Sequence, residues 1–423
     1  MLSTECLSTV KSRFEFLPVG ESTGNLTIGR GRASAGAGKA TETVFIAIIE
    51  NKIASGSLGV AECNKLASLF KVVVAQKCGL VLYLDSAGAR VSEGLPALGA
   101  FRKLYRAALG AAASGAAFTV YCGANCFGGA SMLAALAGTR VYSVNTRFAM
   151  SGPSILAQAA GISALDDIFM AMSMATINGE ARSKLGDSES MAATNLPNRV
   201  TSAAASVNPL VARHAQLGAR LAQIASTGSA ASAEKLERKD LTKLYPGGYQ
   251  LFVHNDVLSG EANYDGRPVT LAGFIGGKSL GAQRAWTQAD ALWKMVEQTV
   301  AKSSAVPPPT LHVLVDCDSH STALDDERIM LSAYLADLAC ALHALALAGS
   351  HIETIVLGKL GGGVYVALSA PVAQLSMLYG AEIQLLPGRA LASILGDAAA
   401  EKYEFQAYQV AGVADRELKL GIV

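Results

Sequence analysis

Short apolar runs alternate with longer amphipathic stretches from residue 43 onward. TVFIAII (43–49) predicts a strand, residues 60–76 a helix, GLVLYLD (79–85) a buried strand and residues 94–114 a second helix. AAFTVYC (116–122) predicts a third strand. A helix from 128 follows, fronted by two glycines, then the strands TRVYSV and RFAM and an SGP turn at 151–153. Strands that are apolar on every residue suit a sheet covered on both faces, so the alternation predicts a parallel sheet wrapped by helices. Residues 20–42, with GRGRASAGAGKAT, read as a flexible Gly/Ala/Ser-rich surface loop. They do not make a phosphate loop, because Lys39 is followed by Ala40 rather than Ser or Thr.

Residues 185–245 break the alternation: Ser/Ala-rich, with the amphipathic LVARHAQLGARLAQIA and the charged EKLERKD, they read as a terminal helix and linker. The pattern then restarts. VTLAGFIGGKSLG (269–281) echoes VFIAIIENKIASGSLG (44–59), and LHVLVDCDSHS (311–321) echoes GLVLYLDSAGAR (79–90). GKLGGGVYVALSAP (358–371) echoes GANCFGGASMLAALAG (123–138), and YGAEIQLLPGRALASIL (379–395) echoes VNTRFAMSGPSILAQ (144–158). Gly59 matches Gly281, Asp85 matches Asp316, Gly129 matches Gly363 and Gly152 matches Gly388, with offsets that grow smoothly. Such offsets indicate an internal duplication. The expected division is an N-terminal extension and loop over 1–43, a first domain over 44–200, a helix and linker over 201–244 and a second domain over 245–423.

Composition narrows the function. The 423 residues carry 35 Lys+Arg against 34 Asp+Glu and 6% aromatic residues, which argues against nucleic acid or a polybasic membrane contact. Seven cysteines, odd in number and mostly in apolar surroundings, suit a reducing compartment. Cys122 and Cys126 form a C-x3-C pair with no second pair or His cluster to complete a metal site, so no metal is expected. Met1–Phe16 lacks an apolar run behind a basic start, and Ala107–Ala117 lacks the bulk of a membrane span. A cytoplasmic protein with no membrane partner is expected.

In each half a buried strand ends in a small-residue turn, DSAGAR or DCDSHS, and a later strand ends in Gly-Gly at a helix start. Parallel strands carry both turns to the carboxyl edge of the sheet, where ligands bind. The first N–H groups of a helix attract negative charge, and glycine lets a substrate oxygen approach them. Two converging N–H groups make an oxyanion hole suited to a thioester enolate. Tight helix–strand packing at the glycines is the alternative.

SGSLGVAECNKLASL, LYLDSAGARVSEGLPAL, GANCFGGASMLAALAG and FAMSGPSIL together resemble the carboxyltransferase branch of the crotonase-like superfamily. That branch includes the carboxyltransferase subunits of acetyl-CoA and propionyl-CoA carboxylases. YDGRPVTLAG, GKLGGGVYVALSAPVA and GAEIQLLPGRALASI resemble the γ subunit of biotin-independent malonate decarboxylase, and the first half its β subunit. The resemblance covers roughly residues 44–180 and 245–400. It implies an α/β fold of two tandem crotonase-like (ClpP/crotonase) ββα-superhelix domains, in effect the two subunits fused.

The resemblance further implies an N-terminal oxyanion hole at Ala87 and Gly88 with Gly128 and Gly129, and a C-terminal one at Gly362 and Gly363 opposite Asp318–Ser319. Crotonase hydratases carry a Glu two residues after the glycine pair, where this chain has Ser131 and Tyr365. That points away from hydration and toward decarboxylation or carboxyl transfer. The thioester carbonyl is expected in the first hole, with the malonyl carboxylate reaching toward the second.

His320, Ser321 and Tyr365 are candidate proton donors, and Arg90 a grip for a carboxylate or phosphate unless it pairs with Glu93. Lys52 and Lys278 are candidate contacts for carrier phosphates, with solvated edge lysines as the alternative; Ser57, Gly59, Ser131 and Gly152 complete the expected substrate contacts. The expected activity is decarboxylation of a malonyl thioester, on coenzyme A or the phosphopantetheine of an acyl carrier protein, to the acetyl thioester. No bound cofactor is expected, and a homo-oligomer is. The carboxyltransferase component of a biotin-dependent acyl-CoA carboxylase is the alternative, and a non-catalytic acyl-carrier-binding scaffold a third reading.

Overall fold

The structure is a computed structural model that describes residues 3–34, 41–143, 145–162, 166–186, 189–190, 207–224, 233–301, 307–387 and 390–391. Gly388, the last matched glycine of the repeat, lies outside the described residues.

Two eight-stranded sheets organise the chain. The first contains β1 (Leu17–Pro18), β2 (Leu26–Ser34), β3 (Thr41–Ile49), β4 (Gly79–Ser86), β5 (Phe118–Phe127), β6 (Thr139–Tyr142), β7 (Arg147–Ala149) and β8 (Glu189–Ser190). The second contains β9 (Glu234–Lys235), β10 (Tyr249–His254), β11 (Val257–Tyr264), β12 (Arg267–Phe274), β13 (Thr310–Cys317), β14 (His351–Gly361), β15 (Gln374–Met377) and β16 (Glu382–Gln384). The helices are α1 (Ser3–Arg13), α2 (Val60–Gln76), α3 (Gly94–Ala113), α4 (Gly129–Ala135), α5 (Pro153–Ala159), α6 (Asp167–Ile177) and α7 (Gly179–Ser183). They continue with α8 (Val207–Ile224), α9 (Lys239–Leu244), α10 (Ala282–Ala301), α11 (Leu324–Arg328), α12 (Leu331–Leu347) and α13 (Gly362–Ser369).

Six strands of each sheet match in order and direction. β2 pairs antiparallel with β3, then β3, β4, β5 and β6 run parallel, with β7 also parallel to β5. β11, β12, β13, β14, β15 and β16 repeat that arrangement. The irregularity repeats too: Leu84 and Ser86 pair with Cys122 and Cys126, and Val315 and Cys317 with Val356 and Leu360. A carboxylate fills each bulge: Asp85 Oδ1 accepts from the Asn125 N–H at 3.0 Å, and Asp316 Oδ1 from the Lys359 N–H at 3.1 Å. An internal duplication of an α/β unit is what these pairings describe.

Residues 26–34 are not a loop. They form β2 and pair along its length with β3, so the first sheet begins before residue 43, at Leu17. The glycines that disguise it serve close packing: a Cβ on Gly29 would strike Phe16 and Leu17, and one on Gly31 would strike Phe14 and Ile46. Residues 35–40 of the expected loop lie outside the described residues. Helix α8 does not close the first half either. Its Leu217 and Leu221 are buried, the Leu217 carbonyl accepts from Tyr334 Oη, and His214 Nδ1 sits 2.7 Å from Asp337 Oδ2 of α12.

The halves share one apolar core in which Phe101, Met132 and Leu133 pack with Tyr334, Leu335 and Val364. Arg102 and Arg106 of α3 donate to the Ser369 and Ala370 carbonyls at the end of α13, at 3.1 and 2.7 Å. Among the described residues no helix is long and apolar enough to cross a membrane.

Candidate functional site

A cleft of about 900 Å³ opens where the halves meet, lined by both glycine pairs and both turns. Of the residues expected from sequence, Ser57, Ala87, Gly128, Gly129, Gly152, Ser319, His320, Gly362 and Gly363 line it.

In the first half the strand end at Ala87–Arg90 is tied to the segment before α2. Leu58 N–H donates to Gly88 O at 2.8 Å, and Arg90 N–H to Leu58 O at 2.8 Å. Gly88 takes φ +91° and faces the Gly129 nitrogen, which a Cβ would approach to 3.0 Å. Three of the expected N–H donors are already engaged: Ala87 with Ser55 O (3.0 Å), Gly88 with Ser86 Oγ (3.1 Å), and Gly128 with Ala149 O and Met150 O (3.1 Å each). Gly129 opens α4, and no acceptor meets its N–H among the described residues. Of the four expected donors, Gly129 therefore keeps the open N–H, beside Ala87 and Gly128 in the cleft lining. Gly128, at φ +55°, has only Ala87 O and Met150 O near a built Cβ, at 3.7 and 3.8 Å, so its missing side chain is open space in the cleft.

The second half repeats the scaffold with a different filling. Leu280 N–H donates to Ser319 O at 2.7 Å and Ser321 N–H to Leu280 O at 2.9 Å, so Ser319 stands where Gly88 does and His320 where Ala89 does. Gly362 has φ +54°, like Gly128, but a Cβ there would lie 2.6 Å from Ser319 Oγ and 3.1 Å from His320 Nδ1. The Gly363 N–H, counterpart of the free Gly129 N–H, points at His320 Nδ1 at 3.4 Å. A second backbone oxyanion hole at Gly362–Gly363 is thus not what the structure holds, because an imidazole occupies it. Burial pushes the His320 pKa down to about 4, so the ring is neutral near pH 7. Asp318 lines the same end of the cleft, with its carboxylate 4.0 Å from Lys359 Nζ and accepting from Gln384 Nε2 at 3.5 Å.

Seven further expected residues fall outside the cleft lining, as Gly88 does. The Arg90 guanidinium binds Glu62, Glu93 and the Ser57 carbonyl, so the pairing reading holds for it and it steadies the turn. A Cβ on Gly59 would meet Glu93 and Arg90, so this glycine serves that packing. Ser131 is buried with its hydroxyl on Gly128 O at 2.8 Å. Lys278 is exposed and paired with Asp256 at 2.8 Å, as Lys52 is with Glu50 at 2.9 Å. Tyr365 lies in the core, where burial pushes its hydroxyl up to about 12. Ser321 Oγ accepts from the Ala323 N–H at 3.1 Å and is not among the lining residues. Cys126 is buried in the core, as its packing reading expects.

Three residues at the site were missed. Arg147, beside Phe127 with its guanidinium carbon 5.8 Å from the ring centre, is the one Lys or Arg among the lining residues. Ser151 lies 3.4 Å from His320 Nε2 across the junction of the halves. Glu327 of α11 is fully buried, and its Oε1 accepts from Met150 N–H (2.8 Å) and Ser151 N–H (3.0 Å). Its Oε2 is 3.5 Å from Arg182, also fully buried, whose Nε donates to Phe148 O at 2.8 Å. Burial pushes the Glu327 carboxyl up to about 7, against the pull of Arg182 and the two N–H groups.

No protein-family model matches the chain, and no curated protein matches it by sequence. Solved structures do. Transcarboxylase 12S, in a crystal structure described as a hexamer with methylmalonyl-coenzyme A and methylmalonic acid bound, is 17% identical over 96% of this chain and 83% of its own, with TM-score 0.37. The β subunit of geranyl-CoA carboxylase from P. aeruginosa is 14% identical over 97% and 80%, with TM-score 0.35. A Pseudomonas malonate decarboxylase hetero-tetramer in complex with malonate is 17% identical over 53% of this chain and 91% of its own, with TM-score 0.40. Of these, malonate decarboxylase is a protein that the sequence motifs resemble. With each TM-score under 0.5, the reading that follows rests on the chain's own geometry.

Proposed function

We propose that the chain decarboxylates a malonyl thioester to the acetyl thioester through an enolate whose oxygen meets the Gly129 N–H. One observation carries the reading. The two halves are copies of one scaffold, yet the helix-start N–H is free at Gly129 and met by neutral His320 at Gly363. A carboxyl transfer between two carriers develops negative charge on both, and each needs its own donors. A decarboxylation develops one oxyanion and then takes up one proton, which fits a cleft with one open donor beside polar side chains. The apolar wall of Phe101, Phe127, Met150 and Val366 favours loss of charge as CO2 departs. Arg147 supplies positive charge for an anionic substrate.

A division into two units, coenzyme A or an acyl carrier protein as carrier, no bound cofactor, a homo-oligomer and a cytoplasmic setting belong to the same reading. The test is mass spectrometry of the protein incubated with malonyl-CoA, and separately with malonyl carrier protein, without biotin or ATP. Formation of the acetyl thioester is the expected result, and the better-used carrier names the partner. Malonyl thioester unchanged on both carriers overturns the decarboxylase, and transfer of the carboxyl group to a biotin analogue then establishes the carboxyltransferase.

A further inference from the structure

The proton that quenches the enolate has to come from a group in the cleft, and the hydrogen bonds around His320 single one out. The Gly363 N–H can only donate, so His320 Nδ1, 3.4 Å away, presents its lone pair. The Ser319 hydroxyl, 3.2 Å from the same nitrogen, then donates as well. Nδ1 as acceptor in a neutral ring leaves the ring proton on Nε2. That N–H points at Ser151 Oγ, 3.4 Å away, which accepts it. The proton of Ser151 therefore turns away from His320, and Ser151 lines the cleft. The residue is held from behind as well, since its own N–H is bound by Glu327 Oε1 at 3.0 Å. The preceding carbonyl, Met150 O, accepts from Gly128 N–H at 3.1 Å, which places Ser151 beside the helix start that opens at Gly129.

We infer that the Ser151 hydroxyl is the proton donor of the cleft, with His320 and Glu327 as the residues that position it. The inference rests on the decarboxylase reading for its substrate. When CO2 leaves, the electron pair of the broken C–C bond becomes the enolate. The α-carbon then takes the Ser151 proton as a new C–H bond, and the O–H pair stays on Oγ. His320 Nε2–H steadies that alkoxide, which takes one proton from water in the open cleft before the next turnover. One solvent proton is consumed per thioester, as the net reaction requires. His320 itself keeps its proton throughout.

Two readouts test this on the full chain: CO2 release from malonyl-CoA, and uptake of deuterium from D2O into the methyl group of acetyl-CoA. The second runs the proton step in reverse and needs no decarboxylation. Ser151→Thr and Ser151→Val differ by a hydroxyl against a methyl at nearly constant volume, so folding and packing effects largely cancel between them. S151V is expected to lose both activities by roughly 100-fold or more relative to S151T, the usual contribution of a general acid, with the KM for malonyl-CoA changed less than about threefold. Equal rates in S151T and S151V overturn the inference. A wild-type protein that exchanges deuterium in a Ser151-dependent way without releasing CO2 overturns the decarboxylase and keeps the proton donor. Neither activity in the wild type overturns both.

Discussion

Ala89 and His320 occupy the same place in two copies of one scaffold, and nearly everything that separates the halves at the cleft follows from that exchange. Around Ala89 the turn is small, its peptide groups are tied to one another, and the helix start behind it keeps a free N–H. Around His320 the same backbone carries an imidazole that caps the helix start and reaches across to Ser151. On the proposed reading, a duplicated site has thus become two half-sites, one that receives charge and the other that orients a hydroxyl.

The comparison breaks most severely where the halves are joined. Glu327→Ala leaves the Met150 and Ser151 N–H groups without their acceptor and Arg182 as a buried charge, and is expected to cost about 3–5 kcal/mol, read as a lowered urea midpoint. Glu327→Gln keeps an acceptor oxygen and should lose clearly less.

Next come the paired glycines. Gly128→Ala carries the same left-handed backbone cost as Gly362→Ala but puts its methyl into the open approach to Gly129, and is expected to raise the barrier by about 2.7–4 kcal/mol, seen as a fall in kcat. Gly362→Ala strikes Ser319 Oγ and His320 instead, so its larger effect should fall on melting temperature. If both variants lose activity and stability in equal proportion, the two half-sites do the same work and the contrast drawn here fails.

His320 gives the comparison a pH dependence. Its folded pKa of about 4 lies below the usual 6.5, so the unfolded chain binds the proton first as pH falls. The stability is complete above about pH 6.5 and declines down to about pH 4, by about 3 kcal/mol over the window. His320→Ala, which copies the first half, should flatten that decline in pH-dependent urea unfolding. The smallest effect is expected at Lys278. Its exposed pair with Asp256 is worth less than about 1 kcal/mol, and Lys278→Ala should leave the KM for malonyl-CoA unchanged.

Much of this was legible in the sequence. The glycine pairs, the strand-ending aspartates and the echo between halves each reflect a backbone requirement, and such requirements leave a residue type at a spacing. Gly128 and Gly362 are readable because both adopt a positive φ. β2 was not readable, since Gly29 and Gly31 weaken the strand pattern in order to let a neighbouring backbone pass. Glu327 was hidden for another reason: in LDDERIM it looks like one charge of a solvated helix, and only the packing of α11 on the first half makes it buried. The His320 turn was visible as polar, but that its ring would cap the opposite helix depends on a distance no spacing encodes.

The junction of the halves also sets how the site responds to dilution. Gly129, Ser151, His320 and Glu327 belong to one polypeptide, so within the cleft no subunit can dissociate from its complement. Turnover per molecule should therefore stay constant down to nanomolar protein, where a site assembled from separate chains would fade by mass action. Covalent continuity also fixes which counterpart each turn meets across the cleft within one chain, DSAGAR facing DCDSHS and never a second copy of itself there.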